Sequence, residues 1–264
     1  MKNKPRLEGK VAVVTGGSRG IGRATSIALA AQGAKVMVNY HCEADSSFDQ
    51  SNAVDEVLDA IAKIGGTAVA QEADLAREEQ ARRLIDRAVQ EYGGIDILVC
   101  NAGLCPSIDF LEMSMDAYDR VHDVNLRGHF ICCQQAARHM IDSSRGGRII
   151  AVSSISALVG GSYQTHYCST KSGLHSLMQS LAIVLGPHGI TCNSVGPGEV
   201  DTDMNNIIPN YDEIRKQLED RIPLRRIAQP EDIADPIVFL ASDDARYVSG
   251  AFLLIDGGMF VNLQ

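Results

Sequence analysis

Residues 11–14, Val-Ala-Val-Val, form a short apolar run suited to a buried strand, and a glycine-rich turn follows at once. The turn reads Thr15-Gly16-Gly17-Ser18-Arg19-Gly20-Ile21-Gly22, and a helical pattern continues through Ala24, Ile27, Ala28 and Ala31. A strand that enters a glycine turn and leaves as a helix narrows the possible folds sharply. Bare glycine backbone can approach a pyrophosphate, and the helix N-terminus offers free N–H groups and a positive dipole end. The spacing is Gly-x-x-x-Gly-x-Gly, not the Gly-x-Gly-x-x-Gly of the dinucleotide fingerprint. Taken alone, it is also compatible with a plain turn.

The rest of the chain repeats the alternation. Apolar runs at 35–39, 67–71, 95–100, 147–152, 191–195 and 251–255 read as six further strands. Helical patterns lie between them, among others at 55–64, 79–92 and 126–141. This order predicts an α/β fold, a parallel sheet with helices on both faces. The 264 residues contain no repeat, low-complexity tract or linker, which predicts one domain. Within it, residues 1–150 form the nucleotide half and 151–264 the catalytic and substrate half. Residues 41–52 are polar and read as a longer loop after the second strand, at the adenosine end of the site.

Charge and cysteines bound the function. A formal net charge of −9 argues against nucleic acid and against anionic membrane surfaces as partners. No apolar run reaches about 18 residues, so no transmembrane helix is expected. Residues 1–6 are basic, but no apolar segment follows, so they do not read as a signal peptide. The seven cysteines (Cys42, Cys100, Cys105, Cys132, Cys133, Cys168 and Cys192) show neither a Cys-x-x-Cys pair nor metal-ligand spacing. No metal is expected, and the cysteines read as small core residues in a reducing, cytoplasmic compartment.

The chemistry is carried by Tyr167 and Lys171, four apart on a predicted helix and so on one face. An ammonium beside a phenol favours the phenolate and predicts a tyrosine pKa lowered toward working pH. Such a phenol can take a proton from an alcohol or return one to a carbonyl. Ser154, thirteen residues before Tyr167, adds a hydroxyl to hold the same oxygen. His166 and Ser153 are neighbours of these residues and read as bystanders.

With these motifs in order, joined by Asp74, Asn101-Ala102-Gly103, Asn125 and Pro197-Gly198, the chain resembles the short-chain dehydrogenase/reductase family over its whole length. The resemblance implies a single-domain Rossmann fold, a doubly wound seven-stranded parallel sheet. It implies a nicotinamide cofactor and a catalytic set of Asn125, Ser154, Tyr167 and Lys171, with Asn125 distorting its helix and holding a water on a proton path from the lysine. The cofactor positions it implies are Gly16, Ser18, Arg19, Gly20, Ile21, Tyr40, Asp74, Leu75, Asn101, Ala102, Gly103, Tyr167, Lys171, Pro197, Gly198, Val200 and Thr202. Residues 201–225, with Met204, Ile207, Ile208 and Pro209, correspond to the family's substrate lid.

Cofactor choice turns on the end of the second strand. Tyr40 stands where an acid would bind the NAD ribose, and Arg19 could pair with a 2′-phosphate; both favour NADP. Glu43 and Asp45 nearby leave NAD open. For substrate, the run Ser153 to Gly161, Gln164 to Tyr167, Ser176 to Ser180, Phe239 to Asp243 and Phe260 to Gln264 resemble the family's sugar 1-dehydrogenase branch. That resemblance implies oxidation of an aldose, L-rhamnose or a related sugar, at C1 to the lactone. The substrate positions are Ser154, Ser156, Gln164, Tyr167 and Glu199. Cys168-Ser169 and Glu199 depart from the branch pattern. The alternatives are a 3-oxoacyl thioester or general carbonyl reductase, or a non-catalytic binding or regulatory member of the family. The family implies a homotetramer, and the apolar tail, with Phe252, Leu253, Leu254, Ile255, Met259, Phe260, Val261 and Leu263, is expected at an interface.

Overall fold

In the computed structural model the Val-Ala-Val-Val run is β1 (Val11–Val14), buried at every residue because helices cover both faces of the sheet. The structure describes residues 5–48, 50–207 and 211–262. Ile208, Pro209 and Leu263 lie outside the described residues. The other strands are β2 (Lys35–Tyr40), β3 (Thr67–Glu72), β4 (Ile97–Cys100), β5 (Gly147–Val152), β6 (Ile190–Pro197) and β7 (Phe252–Ile255). The helices are α1 (Gly20–Ala31), α2 (Cys42–Ser46), α3 (Ala53–Lys63), α4 (Glu78–Tyr92), α5 (Met115–His122), α6 (His129–Ser143), α7 (Thr165–Leu185), α8 (Tyr211–Arg221) and α9 (Pro230–Ala241).

All seven strands are parallel, in the order β3-β2-β1-β4-β5-β6-β7. Strand alternation divides the core. Val13 and Leu98 join one cluster with Leu84 and Ile85 of α4, Met140 of α6 and Met178 of α7. Val14 and Val99 point the other way, to Leu29 of α1, Ile61 of α3 and Ile237 of α9. The chain leaves β1 in one direction along the sheet and β4 in the other. A crevice therefore opens between them at the carboxyl ends of the strands.

Three local readings differ from the sequence expectation. The fourth strand begins at Ile97, not 95, because the Asp96 carboxylate accepts from Val11 N at 2.9 Å and anchors the lead-in. Residues 41–52 are not all loop: α2 forms, with Asp45 N donating to His41 O at 3.0 Å. The helix expected at 126–141 is preceded by a widened π turn, Asp123–Gly128, and becomes regular only at His129. The tail packs against its own chain over part of its length. Met259 turns back toward the cleft, and Phe260 N donates to Asp256 Oδ2 at 2.7 Å.

Asn39 is the polar link of the nucleotide half. It is 2% exposed. Its Oδ1 accepts from Gly16 N at 3.0 Å, and Nδ2 donates to Tyr40 O and Ala73 O, both at 3.1 Å, and to Gln71 O at 3.3 Å. It thereby ties the glycine turn to the ends of β2 and β3. Asn39→Ala should leave several buried backbone groups unpaired and lower stability by about 2–4 kcal/mol, read from urea unfolding. A loss under about 0.5 kcal/mol would show that solvent replaces these bonds.

Candidate active site

The crevice is a cleft of ≈ 800 Å³. Every cofactor and substrate position named from the sequence lines it; Asn125 lies behind its wall. Among the described residues, no cluster of three or more His, Cys, Asp or Glu could hold a metal ion.

The glycine turn fits a bound pyrophosphate because side chains have no room there. Gly16 and Gly20 have φ of +58° and +49°, in the left-handed region. A Cβ on Gly22 would run into Gly16 O and Asn101 Nδ2. Thr202 closes over the turn, its Cγ2 3.2 Å from where a Gly20 Cβ would stand. Gly16 N and Gly17 N donate to Asn39, so the N–H groups left for an anion are those at the N-terminus of α1.

A hydrogen-bond mesh joins this turn to the ends of β4 and the π turn. The Thr15 hydroxyl accepts from Asn101 N at 2.8 Å and Ala102 N at 3.0 Å. Its proton is shared between Val99 O and His129 Nε2, both at 3.2 Å. His129 Nδ1 faces Asn125 O at 2.9 Å, and a carbonyl can only accept, so Nδ1 carries the proton. Burial, with the Lys171 charge adding to it, pushes His129 down to about 3, so the ring is neutral. The Asn125 side chain grips Leu104: Oδ1 accepts from Leu104 N at 2.8 Å and Nδ2 donates to Leu104 O at 2.9 Å.

At the catalytic end, Tyr167 and Lys171 share a face of α7. Lys171 is 3% exposed and its Nζ donates to Val152 O at 2.8 Å. Burial pushes the ammonium down to about 8. The expected lowering of the tyrosine is not found in this structure. Burial pushes the phenol up, and a hydrogen bond with Ser154 pulls it down without prevailing. The Lys171 Nζ stands 5.4 Å from the Tyr167 ring centroid, and desolvation of the phenol prevails. Ser154 Oγ accepts from Ser156 N at 3.0 Å, which fixes the serine. Ser153 instead donates to Lys171 O at 2.9 Å and pins α7 to the end of β5. His166 is buried outside the cleft.

The end of the cleft expected to take the substrate is polar. Ser156 and Gln164 line it, and Glu199 enters from the segment after β6. Tyr211 of α8 donates to Glu199 Oε1 at 3.1 Å, and Asn205 Nδ2 donates to the Tyr211 hydroxyl at 2.7 Å. Arg215 Nη2 donates to Asp201 Oδ2 at 3.0 Å. These bonds clasp α8 to the strand end. Burial, and next to it Asp201, push the Glu199 carboxyl up, against the pull of the Tyr211 bond.

At the end of the cleft beside β2 and β3, two residues expected to meet the nucleotide are already engaged. Both Asp74 oxygens accept from Arg120 Nη1, at 3.0 and 2.9 Å, and Oδ1 also accepts from Ala76 N at 3.1 Å. Burial raises its carboxyl, but Arg120 and the Ala76 N–H hold it below its ordinary value. Arg19, read as free for a phosphate, donates through Nε to Asp45 Oδ1 at 2.8 Å. The sequence reading missed Thr15, His129 and Asn39 as organisers. The four-residue step from Asn125 to His129 is the one signal that could have tied one of them to a residue already named.

The buried lysine has a pH signature. Its pKa near 8 lies below the ordinary 10.5, so between these values the unfolded chain binds more protons and stability rises with pH. Urea unfolding at the two ends of this window should show a rise on the order of 1–3 kcal/mol attributable to Lys171. Lys171→Met should remove it. An identical pH profile in the variant would contradict a buried ammonium.

Comparison with known proteins follows the same lines. The family model described as enoyl-(acyl carrier protein) reductase matches residues 16–260. A Sphingomonas sp. (strain SKA58) protein named L-rhamnose 1-dehydrogenase (NAD(P)(+)) is 51% identical over 98% of this chain and 99% of its own. The Thermoplasma acidophilum L-rhamnose 1-dehydrogenase (NADP(+)) is 44% identical over 98% of this chain and 99% of its own. A short-chain type dehydrogenase/reductase from Mycobacterium marinum superposes with a TM-score of 0.87, at 35% identity, over 97% of this chain and 98% of that one. With sheet order, glycine turn and the Ser154, Tyr167 and Lys171 cluster all in place, the chain belongs to the short-chain dehydrogenase/reductase family.

Proposed function

We propose that this protein is an NAD(P)-dependent dehydrogenase that oxidises an aldose, L-rhamnose or a close relative, at C1 to the lactone. The observation that carries the reading is one cleft with a dinucleotide cradle at one end and Ser154, Tyr167, Ser156, Gln164 and Glu199 at the other. The near full-length relatives named L-rhamnose 1-dehydrogenase support it.

When bound, the oxidised nicotinamide supplies the hydride acceptor and a positive charge near the phenol. Gly16, Gly20, Asn101 and Gly103 would line its path, and Lys171 would meet its ribose. Tyr167, as phenolate, takes the proton of the C1 hydroxyl. Ser154 holds that oxygen while C1 flattens toward the carbonyl. Lys171 favours the phenolate once it turns from Val152 O toward the phenol. Asn125 is a positioning residue through Leu104 and His129. Ser156, Gln164 and Glu199 bond the remaining sugar hydroxyls. A pocket of this kind rejects deoxy or apolar analogues because its own groups would be left unpaired.

We further propose a cytoplasmic homotetramer. All seven cysteines are free, as suits a reducing compartment. Among the described residues, no helix is long and apolar enough to cross a membrane. β7 is an edge strand; its own Leu253 is 38% exposed, and Val261 in the tail that follows is 74% exposed. Such apolar surface next to an open edge suits a subunit contact. Light scattering at micromolar concentration should give four times the chain mass; a monomer mass refutes the assembly.

The activity test is a kinetic comparison of L-rhamnose, L-fucose, D-glucose, a sulfonated sugar and a 3-oxoacyl thioester, with NAD and NADP. L-Rhamnose or a near relative should turn over best. Tyr167→Phe should lower kcat by a factor on the order of 10²–10⁴ with cofactor affinity retained. Gln164→Ala should harm the sugar reaction more than reduction of a simple ketone. Turnover of the thioester alone would replace this reading with the reductase.

A further inference from the structure

We infer that Asp45 sets the choice between NAD and NADP, by occupying with its own carboxylate the donors that a 2′-phosphate needs. The chain should therefore prefer NAD, although Tyr40 and Arg19 read from sequence favour NADP. This inference rests on the reading of the cleft as a dinucleotide site.

Ser18 and Arg19 precede α1, at the positive end of that helix, and both line the cleft. A hydroxyl and a guanidinium placed there form a receptor for an anion. In this chain the anion is built in. Asp45 Oδ1 accepts from Ser18 Oγ at 3.0 Å and from Arg19 Nε at 2.8 Å, and Asp45 is 4% exposed. Its backbone is fixed as well: Asp45 N donates to His41 O, and Phe48 N and Gln50 N donate to Asp45 O. The Arg19 guanidinium lies over the Phe48 ring, 4.3 Å from the centroid, and Nη1 is 3.9 Å from Asp203 Oδ2. Arg19 is thus held on three sides by this chain.

The consequence differs for the two nucleotides. A ribose 2′-hydroxyl can donate to Asp45 Oδ2, which holds no partner among the described residues. A 2′-phosphate has no such proton to give at neutral pH. It must displace Asp45 from Ser18 and Arg19, and it meets the Asp45 and Asp203 charges in doing so. NADP then binds only to the extent that α2 gives way.

The test is calorimetric titration of the full chain with two probes, 5′-AMP and adenosine 2′,5′-bisphosphate, which involve no turnover. Wild type should bind 5′-AMP more tightly. Asp45→Asn should raise affinity for the bisphosphate about tenfold or more while changing 5′-AMP less than threefold, the difference expected when a buried like charge is removed. Arg19→Ala added to Asp45→Asn should abolish that gain. If Asp45→Asn does not fold, judged by circular dichroism, the wild-type preference decides alone. A wild type that prefers the bisphosphate, or an Asp45→Asn change equal for both probes, overturns the inference and leaves the dinucleotide site standing. Binding of neither probe to wild type overturns both.

Discussion

The Thr15 hydroxyl is the contact on which the site depends. It sits where β1 ends and the sheet order reverses, and it accepts from the two N–H groups that end β4. Without it those N–H groups would face a crevice wall with no acceptor, and Asn101 and Ala102 would not lie against the glycine turn. His129 continues the same chain of bonds to Asn125, and Asn125 carries it to Leu104 at the rim. Both halves of the cleft are therefore held by one buried polar network, and neutral His129 lets that network exist without a buried charge.

The catalytic groups show which effect wins when burial and charge compete. Desolvation outweighs attraction at both Tyr167 and Lys171: the phenol goes up and the ammonium goes down. The Lys171 ammonium is satisfied by Val152 O. Proton acceptance by the phenol then needs a neighbouring charge to offset burial, the role proposed above for Lys171. Burial of Glu199 has the same direction of effect, and its bond from Tyr211 couples the substrate end to the position of α8.

Acidic residues do much of the local organisation. Asp96 starts β4, Asp74 binds Arg120, Asp201 binds Arg215 and Asp45 binds Arg19. In each pair a carboxylate fixes a segment beside the cleft, so part of the net negative charge is structural rather than a signal about partners.

Much of the fold was legible in the sequence because central parallel strands buried on both faces are short continuous apolar runs, as in β1 and β4, and seven strand-like runs separated by helical patterns leave few arrangements. The glycine turn was legible for a steric reason, since no side chain fits at Gly22. The Tyr167 and Lys171 pair was legible from helical spacing alone. What spacing could not carry was contact across elements: Asn39 reaching the glycine turn, His129 reaching Thr15, and Tyr211 reaching Glu199 are separated by at least a dozen residues. The sequence also left the balance of burial and charge open, because the pKa of Tyr167 and the availability of Arg19 depend on what surrounds them. The order of strands and the chemistry of the site are written locally in the chain; which groups are free to act was decided only when packing brought Asp45 to Arg19 and Val152 to Lys171, since desolvation and hydrogen bonding are properties of neighbours in space.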